Sequence, residues 1–249
     1  MITKIAIGFA VTALVAAAPV CADPVVIKYE GPSAQTYKPG KKLAVGAAIQ
    51  LKTGEILTVL DDRGTRVLRG PGKFSTSSAT SAGKVSSKSL LSIMKTSNLR
   101  RARTGAVRGT PAGNAVVRRS PNLWYVDIKQ SGTICVADFG KMQFWRSDVT
   151  DAKTLQLKDV KSGVSGTVSF PKGLSSAAWP ANVAALDTGH YELSGGTAGS
   201  TPLHLVQIPV AAEQQLVDVA AGLLERGCQA QGELLAATFT QTERVPLGG

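Results

Sequence analysis

Glu55-Ile56-Leu57-Thr58-Val59-Leu60-Asp61-Asp62-Arg63-Gly64-Thr65-Arg66-Val67-Leu68-Arg69 is the stretch that decides the class of fold. A short run of strand formers meets a cluster of turn formers, and a second run then alternates with period two. Val67 therefore faces away from Arg66 and Leu68, as in one arm of a β-hairpin. The pattern extends outward. Val25-Val26-Ile27 is β-branched, Lys38-Pro39-Gly40-Lys41 is a turn, and Ala47 to Leu51 is a further strand closed by Lys52-Thr53-Gly54. Gly70-Pro71-Gly72 interrupts the chain before Lys73-Phe74-Ser75. Strands this short, separated by tight turns, predict a small antiparallel β module over residues 23–79.

Within this module, Lys42-Leu43 through Gly46, Ile49-x-Leu51-x-x-Gly54, Leu57-Thr58-Val59-Leu60-Asp61-x-x-Gly64-Thr65 and Leu68-x-Gly70-Pro71-Gly72-x-Phe74 stand in sequence. Residues 41–75 resemble a FecR-type β module of bacterial envelope proteins. The resemblance implies a non-catalytic domain in envelope signalling or assembly. The membrane-spanning and cytoplasmic anti-sigma segments of that family have no counterpart in the sequence.

Residues 121–249 carry a second set of strand signals. Pro121 to Ile128 is rich in β formers, and further strands are expected at 131–136, 141–146, 153–157, 166–170, 175–179, 190–193 and 203–208. Spacing of this kind predicts a β-sandwich. The tail changes period: Leu216, Val219, Ala220, Leu223 and Leu224 form a helical stripe ending at Gly227, and Leu234, Leu235 and Phe239 belong to a second helix over 232–240. The expected fold is thus mainly β, a small N-terminal antiparallel module plus a C-terminal sandwich with a two-helix tail.

Residues 1–22 read as a cleaved signal peptide: Lys4, an uncharged apolar run from Ile5 to Ala18, and Val20-Cys21-Ala22 before Asp23. The run falls short of the roughly 20 residues needed to span a bilayer, and no second stretch reaches that length. The expected location is the bacterial periplasm, with no transmembrane segment in the mature chain. Cys135 and Cys228 then remain as an even pair in an oxidising compartment, which predicts a disulfide between a strand and the turn joining the helices.

Hydrophobic residues make up 43% of the 249 and mean hydropathy is +0.07, excluding a disordered polyelectrolyte, a collagen and a multi-span membrane protein. The formal charge of +11 is unevenly placed. Between Asp62 and Asp127 there are thirteen Lys and Arg and no acidic residue, while the rest of the mature chain carries 14 basic against 17 acidic residues. Residues 80–120 form a basic connector. Its stretch from Ser87 to Ser97 predicts a short helix with Leu90, Leu91, Ile93 and Met94 on one side. Arg100, Arg101, Arg103, Arg108, Arg118 and Arg119 are the candidate anion-binding residues, weighed against a solvated linker. An envelope protein, an anionic envelope polymer or a lipid surface would suit them. Nucleic acid matches electrostatically, but an extracytoplasmic address argues against it.

Catalytic patterns are sparse. Only 2 His occur, His190 and His204, and they read as cross-strand residues without a third ligand at metal spacing. Gly163-Val164-Ser165-Gly166 lacks the spacing of a nucleophile elbow, and Gly195-Gly196-Thr197-Ala198-Gly199 lacks the Lys of a phosphate loop. No metal, cofactor or enzymatic activity is expected. Trp124, Trp145 and Trp179 are candidates for a carbohydrate or lipid groove, against the competing role of sandwich core. The expectation is a secreted, non-enzymatic adaptor or sensor module, with a carbohydrate- or lipid-binding module as the alternative.

Overall fold

The structure is a computed structural model that describes residues 23–77, 120–196, 199–210 and 214–239. Residues 1–22, the expected signal peptide, lie outside these residues, as do positions 78–119, which hold nearly all of the connector and its expected helix. The hairpin forms as β3 (Ile56–Asp61) and β4 (Gly64–Arg69), paired from Ile56↔Arg69 to Asp61↔Gly64 around Asp62 and Arg63. Asp61 fixes the loop. One carboxylate oxygen accepts the Arg63 N–H at 2.9 Å, and the other lies 3.1 Å from the Arg66 guanidinium.

β1 (Val25–Glu30) pairs antiparallel with the far side of β3, giving the order β1-β3-β4. β2 (Ala48–Leu51) and β5 (Gly72–Ser75) form a separate antiparallel pair. Strand alternation sends side chains to two cores. Val26, Leu57 and Val59 pack with Ile49 and Leu51 of β2, whereas Val25, Ile27 and Leu60 point the other way. β1 is therefore covered on both faces, which explains its unbroken apolar run. Arg66 reaches across to the carbonyls of Ser75 and Thr76 and ties the two sheets together.

The C-terminal half is a sandwich of two sheets. β6 (Tyr125–Asp127), β8 (Gln143–Trp145) and β11 (Ser176–Ala178) form one, in the order β11-β8-β6. The other has five strands in the order β10-β9-β12-β13-β7, comprising β7 (Gly132–Val136), β9 (Lys153–Asp159), β10 (Ser165–Phe170), β12 (His190–Gly196) and β13 (Gly199–Gln207). β7 lies parallel to β13, and β6 parallel to β8. Val126 and Phe144 of the small sheet meet Ile134, Leu157, Phe170, Leu193 and Leu205 of the large one in a shared core.

Two of the strands that are shorter than the sequence predicts have a visible local cause. The strand expected from Pro121 begins only at Tyr125, because the Asn122 side chain takes the Trp124 N–H at 3.0 Å and turns the backbone. The strand expected at 141–146 starts at Gln143, since Asp138 caps a 3-10 turn over Phe139–Lys141.

The tail forms α1 (Leu216–Glu225) and α2 (Gln229–Thr238), with Cys228 between them and bonded to Cys135 of β7. The helices do more than extend the sandwich. α1 packs on β1 and β3, and α2 packs on β1, β4 and β7. They close the N-terminal sheet with Val217, Ala220, Leu224 and Leu235 against Val25, Ile27 and Leu60. β4 also caps α2. The Thr65 hydroxyl donates to the Ala236 carbonyl at 2.6 Å, which also accepts the Phe239 N–H, and the Thr65 N–H donates to the Phe239 carbonyl at 2.9 Å, so β4 adds partners at the C-terminal end of the helix. Among the described residues no helix is long and apolar enough to cross a membrane.

Candidate functional site

A groove of about 480 Å³ opens where the N-terminal sheet, α2 and the sandwich meet. Each wall follows from local geometry. On β6, Val126 is buried in the sandwich core, so Tyr125 and Asp127 face outward into the groove. Lys28 and Thr58 are registered partners on β1 and β3 and share the face that looks toward the helices. α2 contributes Ala230, Glu233, Leu234 and Ala237, which at i, i+3, i+4 and i+7 form one stripe. Val67 stands at the rim and is 45% exposed, an apolar side chain without cover.

The charges are few and partly committed. Lys28 lies 2.8 Å from Glu30, and this contact, with Glu233 adding its charge across the groove, holds the ammonium pKa above its ordinary value. Burial pushes the Asp127 carboxyl up, opposed by the Lys129 N–H that it accepts at 2.9 Å. Tyr125, Gln130 and Ser120 add neutral polar groups. The lining thus combines apolar side chains, among them Leu234 and Val67, with polar ones. Among the described residues no group of three or more His, Cys, Asp or Glu is placed to hold a metal ion.

The residues singled out in the sequence fall elsewhere. Arg100, Arg101, Arg103, Arg108, Arg118 and Arg119 lie outside the described residues. Arg118 and Arg119 immediately precede Ser120, which lines the groove. Of the cations flanking the connector, Arg66 is paired with Asp61 and donates to the Ser75 and Thr76 carbonyls inside the module.

The tryptophans do not assemble into a groove. Trp124 is buried in the core beneath the helices, with its indole N–H lacking a hydrogen-bond partner among the described residues. Trp145 is buried in β8. Trp179 stacks on Phe144 at 5.1 Å, meets Tyr191 edge-on, and donates its indole N–H to the Val183 carbonyl at 2.7 Å. Their apolar rings are used for packing, and none lines the groove. The groove residues themselves escaped the sequence reading. The one signal was the alternation Tyr125-Val126-Asp127, which puts a tyrosine and a carboxylate on the same face.

No family model, no curated protein and no solved structure matches the chain. The geometry therefore stands by itself as a mainly β protein whose C-terminal helices join two β units around one open groove.

Proposed function

We propose that this protein is a secreted, non-enzymatic adaptor or sensor module of the bacterial envelope. It works in the periplasm, docks an extended segment of an envelope protein in the groove, and uses the basic segment around Arg100 to Arg119 to hold an anionic surface. The observation that carries this reading is the position of the groove. It is built jointly by the first β module, α2 and the β6 side of the sandwich, so a ligand seated there touches all three. Its lining mixes apolar side chains with three charged ones, Lys28, Asp127 and Glu233, a composition that supports recognition of a chain segment. The signal-like residues 1–22, the Cys135–Cys228 disulfide and the FecR-type resemblance of residues 41–75 support an envelope location. The excess of positive charge confined to one segment supports an anionic partner.

The test is photo-crosslinking in intact cells from Val67 and from Gln130, with the surface position Lys172 as control. A discrete envelope-protein adduct from the two groove positions and none from Lys172 is expected. The triple variant Arg100→Ala, Arg101→Ala, Arg103→Ala should release the protein from anionic vesicles or cell-wall fragments while leaving the adduct in place. Groove positions that crosslink no more than Lys172 would sink the docking role. A triple variant that sediments like the wild type would sink the anionic one.

A further inference from the structure

Away from the groove, the two histidines of the chain face each other. His190 begins β12 and His204 lies directly opposite on β13. The Leu205 N–H donates to the Gly189 carbonyl at 2.9 Å, so His190 and His204 form a non-hydrogen-bonded pair, the antiparallel position where side chains approach most closely. Their strand neighbours Tyr191, Leu203 and Leu205 are buried, which turns both imidazoles to the outer face of the sheet. The rings lie face to face with centroids 4.3 Å apart and planes 4° from parallel. His190 is exposed and His204 half-buried.

We propose that this pair is a surface chelate for a divalent transition metal of tetragonal preference, Cu²⁺ or Ni²⁺. The spacing carries the argument. An imidazole nitrogen binds such an ion at about 2.0 Å, which puts each ring centroid about 3.1 Å from it. Two cis ligands at a right angle then have centroids about 4.4 Å apart, against about 5 Å at a tetrahedral angle. The observed 4.3 Å brings both rings within reach of one ion, the sheet register keeps the two side chains adjacent, and the order of divalent affinities for imidazole favours Cu²⁺. Parallel rings direct their nitrogens side by side, so capture requires each ring to swing until the two lone pairs converge. The exposure of His190 leaves room for that turn. Among the described residues no further His, Cys, Asp or Glu completes a cluster, so water fills the other positions and a ligand from outside can displace it. The ion is held, with no bond made or broken in the protein, by two neutral imidazoles.

Calorimetric titration of the tag-free protein with Ni²⁺, and Cu²⁺ electron paramagnetic resonance in parallel, test the site. One ion per chain is expected, with a two-nitrogen signature for Cu²⁺ and weaker binding of Zn²⁺ than of Cu²⁺. His190→Ala and His204→Ala should each weaken that binding at least tenfold. His190→Asn and His204→Gln, which keep a polar side chain, should do the same with unchanged circular dichroism, separating a lost ligand from a lost fold. Wild-type binding no tighter than that of the variants, a one-nitrogen copper spectrum, or Zn²⁺ bound more tightly than Cu²⁺ would each overturn the assignment.

Discussion

Replacing Gln231 with alanine removes one side chain and strands three buried backbone groups. The Gln231 Oε1 accepts the Cys135 N–H at 2.7 Å, while Nε2 donates to the carbonyls of Cys135 and Leu123, each at 2.8 Å. β7 is the last strand of its sheet. The edge-facing groups of Cys135 thus have no strand to pair with, and the Gln231 amide takes the place of one peptide unit of a missing neighbour. A buried donor or acceptor left without a partner costs roughly 1–3 kcal/mol. With water entering the vacated space to satisfy part of the loss, the sum for three groups is about 3 kcal/mol. For a chain of this size that corresponds to a fall in Tm of about 6–12 °C. Gln231→Glu sharpens the test. Its carboxylate can still accept from Cys135 but points an oxygen at two carbonyls, so at neutral pH it should destabilise at least as much as alanine. Thermal melts of the oxidised protein, followed by far-UV circular dichroism and checked by urea unfolding, measure both. A Gln231→Ala protein melting within 2 °C of the wild type, or a Gln231→Glu protein more stable than it, would refute the reasoning.

Three further outcomes follow from other contacts. The disulfide spans a sequence separation of 93 residues; on the chain-entropy account its removal costs on the order of 4–5 kcal/mol. Cys135→Ser with Cys228→Ser should therefore melt well below the oxidised wild type and ignore added reductant, and a wild type whose Tm is equally indifferent to reductant would contradict this. The Glu55 carboxyl is held down to about 2, from 4.5, chiefly by the Lys52 N–H and then by the hydroxyls of Tyr29 and Ser33. Because the folded value is the lower one, its contribution is complete above the ordinary carboxylate range and is lost as pH falls from about 4.5 through about 2. Urea midpoints between pH 5 and 2.5 should fall more steeply for the wild type than for Glu55→Gln; parallel slopes would count against the assignment. At Gly166 an added Cβ would sit 2.5 Å from Pro180 Cβ and 2.8 Å from Val183 Cγ2. Gly166→Ala should lower stability by about 1–3 kcal/mol, and an unchanged Tm would show that the 180–183 loop yields freely.

Period-two alternation carried much of the fold. It located the hairpin of β3 and β4, and cysteine arithmetic paired Cys135 with Cys228. What it missed has a common cause. Alternation reports that a face is buried but not what buries it. The tail's helical stripe points to cover for the sandwich, whereas α1 and α2 also cover β1. The clue was present in Val25-Val26-Ile27 and Ile134-Cys135-Val136, unbroken apolar runs that require cover on both sides. Polar residues with interior roles were illegible for another reason. Gln231 looks like solvent-facing helix, and Arg146 looks like a strand end. Yet Arg146 is 4% exposed, donates to the carbonyls of Asp151, Pro171 and Leu174, and lies over the Phe170 ring. Composition does not reveal that such groups have partners. The groove stayed hidden because its walls come from three separate parts of the chain.

The closure of the first sheet by the last helices also sets an order of events during synthesis. Val25, Ile27 and Leu60 are among the earliest core residues to leave the ribosome, and their cover arrives only with residues 216–239. Until then, a growing chain carries an uncapped apolar sheet and a Cys135 thiol whose partner has not been made. A chain stopped at Val210 should bind hydrophobic dyes strongly where the complete one does not, and equal dye binding by the two would show that the first module finishes without its helices.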